Sequence, residues 1–129
     1  PRLEKAFGLS QSVFLFELDL NEVSEKSLPA YTKLSKFPSI RRDIALIVDK
    51  SISSAAISNA ITSSEINELI SHRIFDVYEG AGVEAKQKSL ALGLIFQDFS
   101  RTLEDADINS HVERIVQLLE KQTGAVLRS

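Results

Sequence analysis

Few side chains in this sequence have the types and spacing that chemistry needs. There is no Cys, so a disulfide framework, a thiolate nucleophile and a thiolate metal site are all excluded. The two imidazoles, His72 and His111, stand far apart, one before a predicted strand and one in a predicted helix. No zinc or other metal site is expected from them, and both read as surface or boundary residues. No nucleophile stands beside a recognisable base, so no catalytic residue is assigned. Gly80-Ala81-Gly82 is not a phosphate-binding fingerprint, because it does not lead from a strand into a helix at the required spacing, and its glycines read as turn formers. What remains is binding chemistry. Arg41, Arg42, Lys86, Lys88 and Arg101 could meet anionic groups, but each also has a plainer reading. Arg41 and Arg42 adjoin Asp43 and could form a fixed ion-pair cluster, Arg101 precedes a helix, and the two lysines could simply solvate a loop.

The elements that position these residues follow from periodicity. From Phe75 to Phe96 two alternating runs flank a loop holding Gly80, Gly82, Lys86 and Lys88, the pattern of a long β-hairpin. Successive strand side chains point to opposite sides. Phe75 and Val77 are therefore expected on one face, and Asp76 and Tyr78 on the other. In the second run Leu90, Leu92, Leu94 and Phe96 share one face, while Ser89, Ala91, Gly93 and Ile95 share the opposite one. The latter set is small for a core, so that face is either bare to solvent or kept flat for something to lie on. Upstream, a strand running to Asp49 sends Ile44, Leu46 and Val48 one way and Asp43, Ala45, Ile47 and Asp49 the other. A helix beginning at Ser53 or Ser54, either of which can cap free amides, carries a stripe of Ala56, Ile57, Ala60 and Ile61. Residues 63–71 read as a turn followed by a short helical or extended piece. A second helix starts near Glu104 or Asp105, with Asp105 and Asp107 at the positive end of its dipole. Ile108, Val112, Ile115 and Leu119 form its buried stripe, Gly124 ends it, and a short strand, Ala125 to Arg128, follows.

The order strand, helix, two strands, helix, strand predicts an α+β, ferredoxin-like split βαβ fold (βαββαβ): a four-stranded antiparallel sheet with two helices on one face. The helices must cover Ile44, Leu46, Val48, Phe75, Val77, Leu90, Leu92, Leu94 and Phe96. The open face then carries Ala45, Ile47, Asp76, Tyr78, Ser89, Ala91 and Gly93.

At 129 residues and 43% hydrophobic, the chain suffices for one domain and part of another. Its net charge of -3 argues against nonspecific coating of nucleic acid or anionic membrane. With no long apolar run and no signal peptide, it is expected to be soluble and cytoplasmic, without a membrane partner. It has no Met and begins at Pro1, so it is expected to be part of something longer. The run Val13 to Leu20 is apolar on both faces for half its length, as in a strand inside a larger sheet that this chain does not supply. A polar connector with Pro29 follows. The domains are accordingly expected at 1–33 and 34–129.

Four ordered motifs also carry a resemblance: Phe37-Pro38-Ser39-Ile40-Arg41-Arg42-Asp43, Phe75-Asp76-Val77-Tyr78-Glu79-Gly80, Lys88-Ser89-Leu90-Ala91 and Arg101-Thr102-Leu103. Together they resemble the ferredoxin-fold anticodon-binding domain at the C-terminus of the bacterial phenylalanyl-tRNA synthetase β subunit, over residues 34–129. Phe7-Gly8-Leu9 and Val13 to Leu18 resemble the end of the catalytic-like core module that precedes it in that subunit. The resemblance implies a domain that holds the anticodon stem-loop of phenylalanine tRNA, with Tyr78 stacking on an anticodon base and Asp76 beside it. Ser89 and Ala45 would contact or admit the base, and Arg41, Arg42, Lys86 and Lys88 would meet phosphates. An unpaired base offers a flat π-face that an exposed aromatic ring can hold with about 1–3 kcal/mol. The implied partners are phenylalanine tRNA and a catalytic α subunit in a heterotetramer of two α and two β chains. No catalytic site and no cofactor are expected in this chain, with ATP and magnesium implied for the full enzyme. The alternative is a ferredoxin-like regulatory or protein-interaction module. An acylphosphatase-like hydrolase ranks last, since Asp49 to Ser53 offers no glycine-rich phosphate cradle.

Overall fold

The computed structural model describes residues 5–10, 13–23, 29–31 and 34–128, which fall into two units, one before residue 34 and one from Leu34 onward. The first contains a one-turn helix, α1 (Leu20–Val23). The strand expected across Val13 to Leu20 does not form: the backbone there is irregular, and Phe14 and Phe16 are 91% and 86% exposed. A strand exists by pairing its amides and carbonyls with a neighbour, and the described residues of this unit offer it no neighbouring strand.

The second unit is built of β1 (Ile40–Asp49), α2 (Ser54–Thr62), β2 (Leu69–Tyr78), β3 (Gln87–Phe96), α3 (Asp105–Thr123) and β4 (Val126–Leu127). The strands lie in the order β2-β3-β1-β4 and every neighbouring pair is antiparallel, as a split βαβ arrangement requires. Local chemistry sets the helix ends. Ser53 caps α2, its hydroxyl accepting from the Ala56 amide at 3.1 Å, and Gly124 closes α3 in the left-handed region at φ 67. At the start of α3 the Asp107 carboxylate accepts from the Glu104 amide at 2.9 Å and from Arg101 at 2.6 Å, which answers two exposed donors at the positive end of the helix.

One face of the sheet is sealed. Leu46, Val48, Leu90, Leu92, Leu94 and Phe96 pack against Ile57, Ala60 and Ile61 of α2 and Ile108, Ile115 and Leu119 of α3, all in one buried cluster. His111 stacks on Phe96 with ring centroids 5.8 Å apart, and the His72 Nε2 lies 3.2 Å from the Ser58 hydroxyl.

Register on the edge strand departs from simple alternation. Leu69 pairs with Phe96 but Ser71 with Ile95, and Ile74 pairs with Leu92 but Asp76 with Ala91. Ile70 and Phe75 are each the extra residue of a β-bulge, and each bulge shifts the alternation by one. Ile74 therefore packs against the core in the place expected for Phe75. Phe75 turns to the open face, 48% exposed, where the Arg41 guanidinium lies over its ring at 5.4 Å.

Candidate nucleic-acid interface

The open face is a lattice of rows running across the sheet. In one row Tyr78, Ser89, Ile47 and Val126 are successive partners on β2, β3, β1 and β4. In the next, Asp76 pairs with Ala91 and Ala91 with Ala45, followed by a row of Arg73, Gly93 and Asp43. Because Ala45, Ala91 and Gly93 stand in the centre, the floor between the flanking side chains is flat. Tyr78, Asp76, Ser89 and Ala45, singled out from the sequence, lie together on this floor.

Tyr78 is held by the loop that follows it. Its ring lies over Gly80 so closely that a Cβ there would stand 2.4 Å from the phenolic oxygen, and the hydroxyl donates to the Ala81 carbonyl at 3.3 Å. The residue is 42% exposed, so its ring is fixed yet still offers surface. Asp76 is exposed beside it and can accept hydrogen bonds from a base edge. Ser89, in contrast, is only 5% exposed. Arg128, just past β4, reaches across the sheet to donate to the Ser89 hydroxyl at 3.3 Å, and its guanidinium lies 5.9 Å from the Tyr78 ring centre.

Arg41 also lies on the open face but not as a loose cation. Its Nε and Nη2 donate to the two carboxylate oxygens of Asp43 at 2.7 and 3.2 Å, and the pair rests on Gly93, where a Cβ would come within 3.2 Å of Asp43 and 3.4 Å of Arg41. The hydrogen bond and charge of Asp43 raise the Arg41 pKa further above its ordinary value, so this guanidinium stays charged. Arg42 points to the other side of the sheet, beside Leu94, and pairs with Asp105 at the start of α3. Lys88 is likewise on the helix side, opposite Val48. Its ammonium donates to the carbonyls of Lys50 and Ile52 at 3.0 and 2.7 Å and so ties down the loop between β1 and α2. Lys86 is exposed in the turn before β3, close enough to Asp49 to help depress that carboxyl's pKa, behind the larger effect of the hydrogen bonds from Ser51. The structure thus gathers Tyr78, Asp76, Ser89, Ala45 and Arg41 on one face, turns Arg42 and Lys88 away, and leaves Lys86 at the rim.

Three residues of this face escaped the sequence reading. Phe75 was hidden by the bulge, and Arg73 by the uncertain start of β2. Arg128 could have been found from the parity of the last strand, because it lies two residues beyond Val126, but only once the pairing of Val126 with Ile47 was known. Among the described residues, no three His, Cys, Asp or Glu side chains come together to hold a metal ion.

Comparison with known proteins gives this face a context. Residues 35–128 match the family model described as the ferredoxin-fold anticodon binding domain. The chain is 44% identical over 128 residues to the phenylalanine-tRNA ligase beta subunit of Pseudomonas putida and likewise to that of Shewanella oneidensis, with 99% of this chain covered in each case. It is 41% identical over 129 residues, its full length, to the same subunit of Nitrosospira multiformis. The chain spans 16% of the length of each of these relatives. With the fold, the flat aromatic-bearing face and the family model in agreement over nearly all of the second unit, the chain belongs to the ferredoxin-fold anticodon-binding domain family.

Proposed function

We propose that this chain is the tRNA-binding part of a phenylalanine-tRNA ligase β subunit and holds the anticodon stem-loop of phenylalanine tRNA on the open sheet face. The observation that carries the reading is the flat floor of Ala45 and Ala91 with Tyr78 and Asp76 at its edge. A base lying there meets an aromatic ring and a carboxylate acceptor without displacing a bulky side chain, and stacking on one ring supplies about 1–3 kcal/mol. Arg128, already close to the ring, brings a cation to the bound nucleotide. Of the four basic residues expected from the sequence to meet phosphates, Lys86 keeps that role; Arg41 is clamped by Asp43 on the open face, while Arg42 and Lys88 act in the scaffold.

In the longer protein this face works beside a catalytic α subunit, in an assembly of two α and two β chains in the cytoplasm. Residues 1–33 are read as the end of a catalytic-like core module with a linker. ATP and magnesium would be handled by other modules of the full ligase.

An NMR titration of this chain with an anticodon stem-loop of phenylalanine tRNA tests the reading. Amide shifts are expected around Tyr78, Asp76, Ser89 and Ala91; shifts confined to α2 and α3 would defeat it.

A further inference from the structure

At the opposite end of the same face from Tyr78 lies a basin of about 310 Å³ lined by Arg41, Ser71, Arg73, Phe75, Gly93 and Ile95. We propose that this basin is a second nucleotide subsite, which takes one unpaired nucleotide with its base against Phe75 and Arg41 and its phosphate at Arg73. The proposal rests on the reading of this face as an RNA-binding surface.

Three features of the sheet converge there. First, Phe75 is delivered to the open face by a bulge in β2 while Ile74 fills the core in its stead. A ring left half exposed on this face presents a partner with a flat apolar surface for stacking. Second, the group over that ring is itself planar: the Arg41 guanidinium is clamped by both oxygens of Asp43 and laid on Gly93. Neutralised by Asp43, it is a poor anchor for a phosphate but a good plane for a base, since guanidinium groups stack on bases as aromatic rings do. Third, Arg73 pairs across from Gly93 in the middle of the basin, is exposed, and has no hydrogen-bond or ion-pair partner among the described residues. A guanidinium free in this way is available to a phosphate. Ser71 adds a hydroxyl at the basin wall for a ribose or base edge.

Geometry separates this basin from the platform at Tyr78. Phe75 and Tyr78 are three residues apart, about 7–10 Å along the strand at roughly 3.3 Å per residue once the bulge at Phe75 is allowed for, whereas bases stacked in a helix are about 3.4 Å apart. The two rings therefore hold two different bases that are not stacked on each other, as in a loop whose bases are splayed outward.

The test compares binding of the wild-type chain and of Phe75→Leu, Arg73→Gln and Tyr78→Leu to an anticodon stem-loop, and then to versions lacking one loop base at a time. Phe75→Leu is expected to weaken binding about 5- to 20-fold, in line with loss of a stacked base. Arg73→Gln should weaken it about 3- to 5-fold and lower the slope of log K against log salt by about one. Removal of one particular loop base should abolish the effect of Phe75→Leu, and a different one that of Tyr78→Leu. If Tyr78→Leu weakens binding while Phe75→Leu and Arg73→Gln do not, or if Phe75 and Tyr78 couple to the same base, the second subsite is overturned and the wider reading stands. If the wild-type chain shows no binding, or no variant alters it, both fall together. Should Phe75→Leu disturb the fold by circular dichroism, Arg73→Gln, at an exposed and unpartnered side chain, decides the matter.

Discussion

Gly80 gives the Tyr78 ring its place. Its missing Cβ leaves room for the phenol, whose oxygen would otherwise stand 2.4 Å from that atom. In Gly80→Ala the far end of the ring must swing away, which costs the fold little because only the tip of one side chain moves. Thermal unfolding of Gly80→Ala is therefore expected within about 1 kcal/mol of wild type, while stem-loop affinity falls several-fold; an unchanged affinity would show that the ring's position is irrelevant. Tyr78→Ala in the full ligase should lower tRNA charging by the equivalent of about 1–3 kcal/mol and leave amino-acid activation intact, as measured by aminoacylation and pyrophosphate exchange side by side. Lys88 makes the opposite case. Its ammonium satisfies two loop carbonyls, so Lys88→Met should destabilise the domain by about 1–3 kcal/mol with almost no change in the salt dependence of RNA binding. Its assignment as a phosphate contact came from grouping basic residues by charge. Alternation alone put Lys88 beside Leu90 and Arg42 beside Ile44, both on the covered face, and that parity was the better guide.

Among the elements, those with strict alternation or clear caps were legible in the sequence. β1 and β3 announce themselves through Ile44, Leu46 and Val48 and through Leu90 to Phe96, and Ser53 and Gly124 mark the ends of α2 and α3 by the physics of free amides and left-handed backbone. β2 was not legible, because a bulge is a property of two strands: nothing in Ile74-Phe75-Asp76 says which residue β3 will leave unpaired. α3 carries a pH-dependent feature of its own. Asp107 is held down to about 2, first by its hydrogen bond with Arg101 and then by the Glu104 amide, and Asp98 is lowered through the Ser100 amide and hydroxyl. A carboxyl whose folded pKa lies below its unfolded value near 3.9 contributes stability above that value and loses it as pH falls toward its folded pKa. Unfolding followed by circular dichroism between pH 5 and 2 should show stability falling with acid, and Asp107→Asn should flatten that fall. A steep profile retained in Asp107→Asn would place the titration elsewhere.

For the whole second unit, charge sets the limits of binding. Residues 34–129 hold 11 Lys and Arg against 13 Asp and Glu, and Arg41, Arg42 and Arg101 are each engaged with an aspartate. Few cations are left to release counterions, so this chain alone should bind a stem-loop weakly, in the high-micromolar range at physiological salt, with a shallow salt dependence. On the proposed function, useful affinity is expected only when the longer protein grips the rest of the tRNA at the same time. Nanomolar binding in a calorimetric titration of this chain would refute that account.

β2 is the longer of the two edge strands of the sheet, and apolar Ile70, Phe75 and Val77 are all exposed along it. A straight edge of that composition would be a template for another copy to add its own strand and start an aggregate. The bulges at Ile70 and Phe75 break the row of outward amides and carbonyls twice within ten residues, so an incoming strand loses register at each interruption. The irregularity that turns the Phe75 ring to the open face thus also makes this edge a poor template for a second copy of the domain.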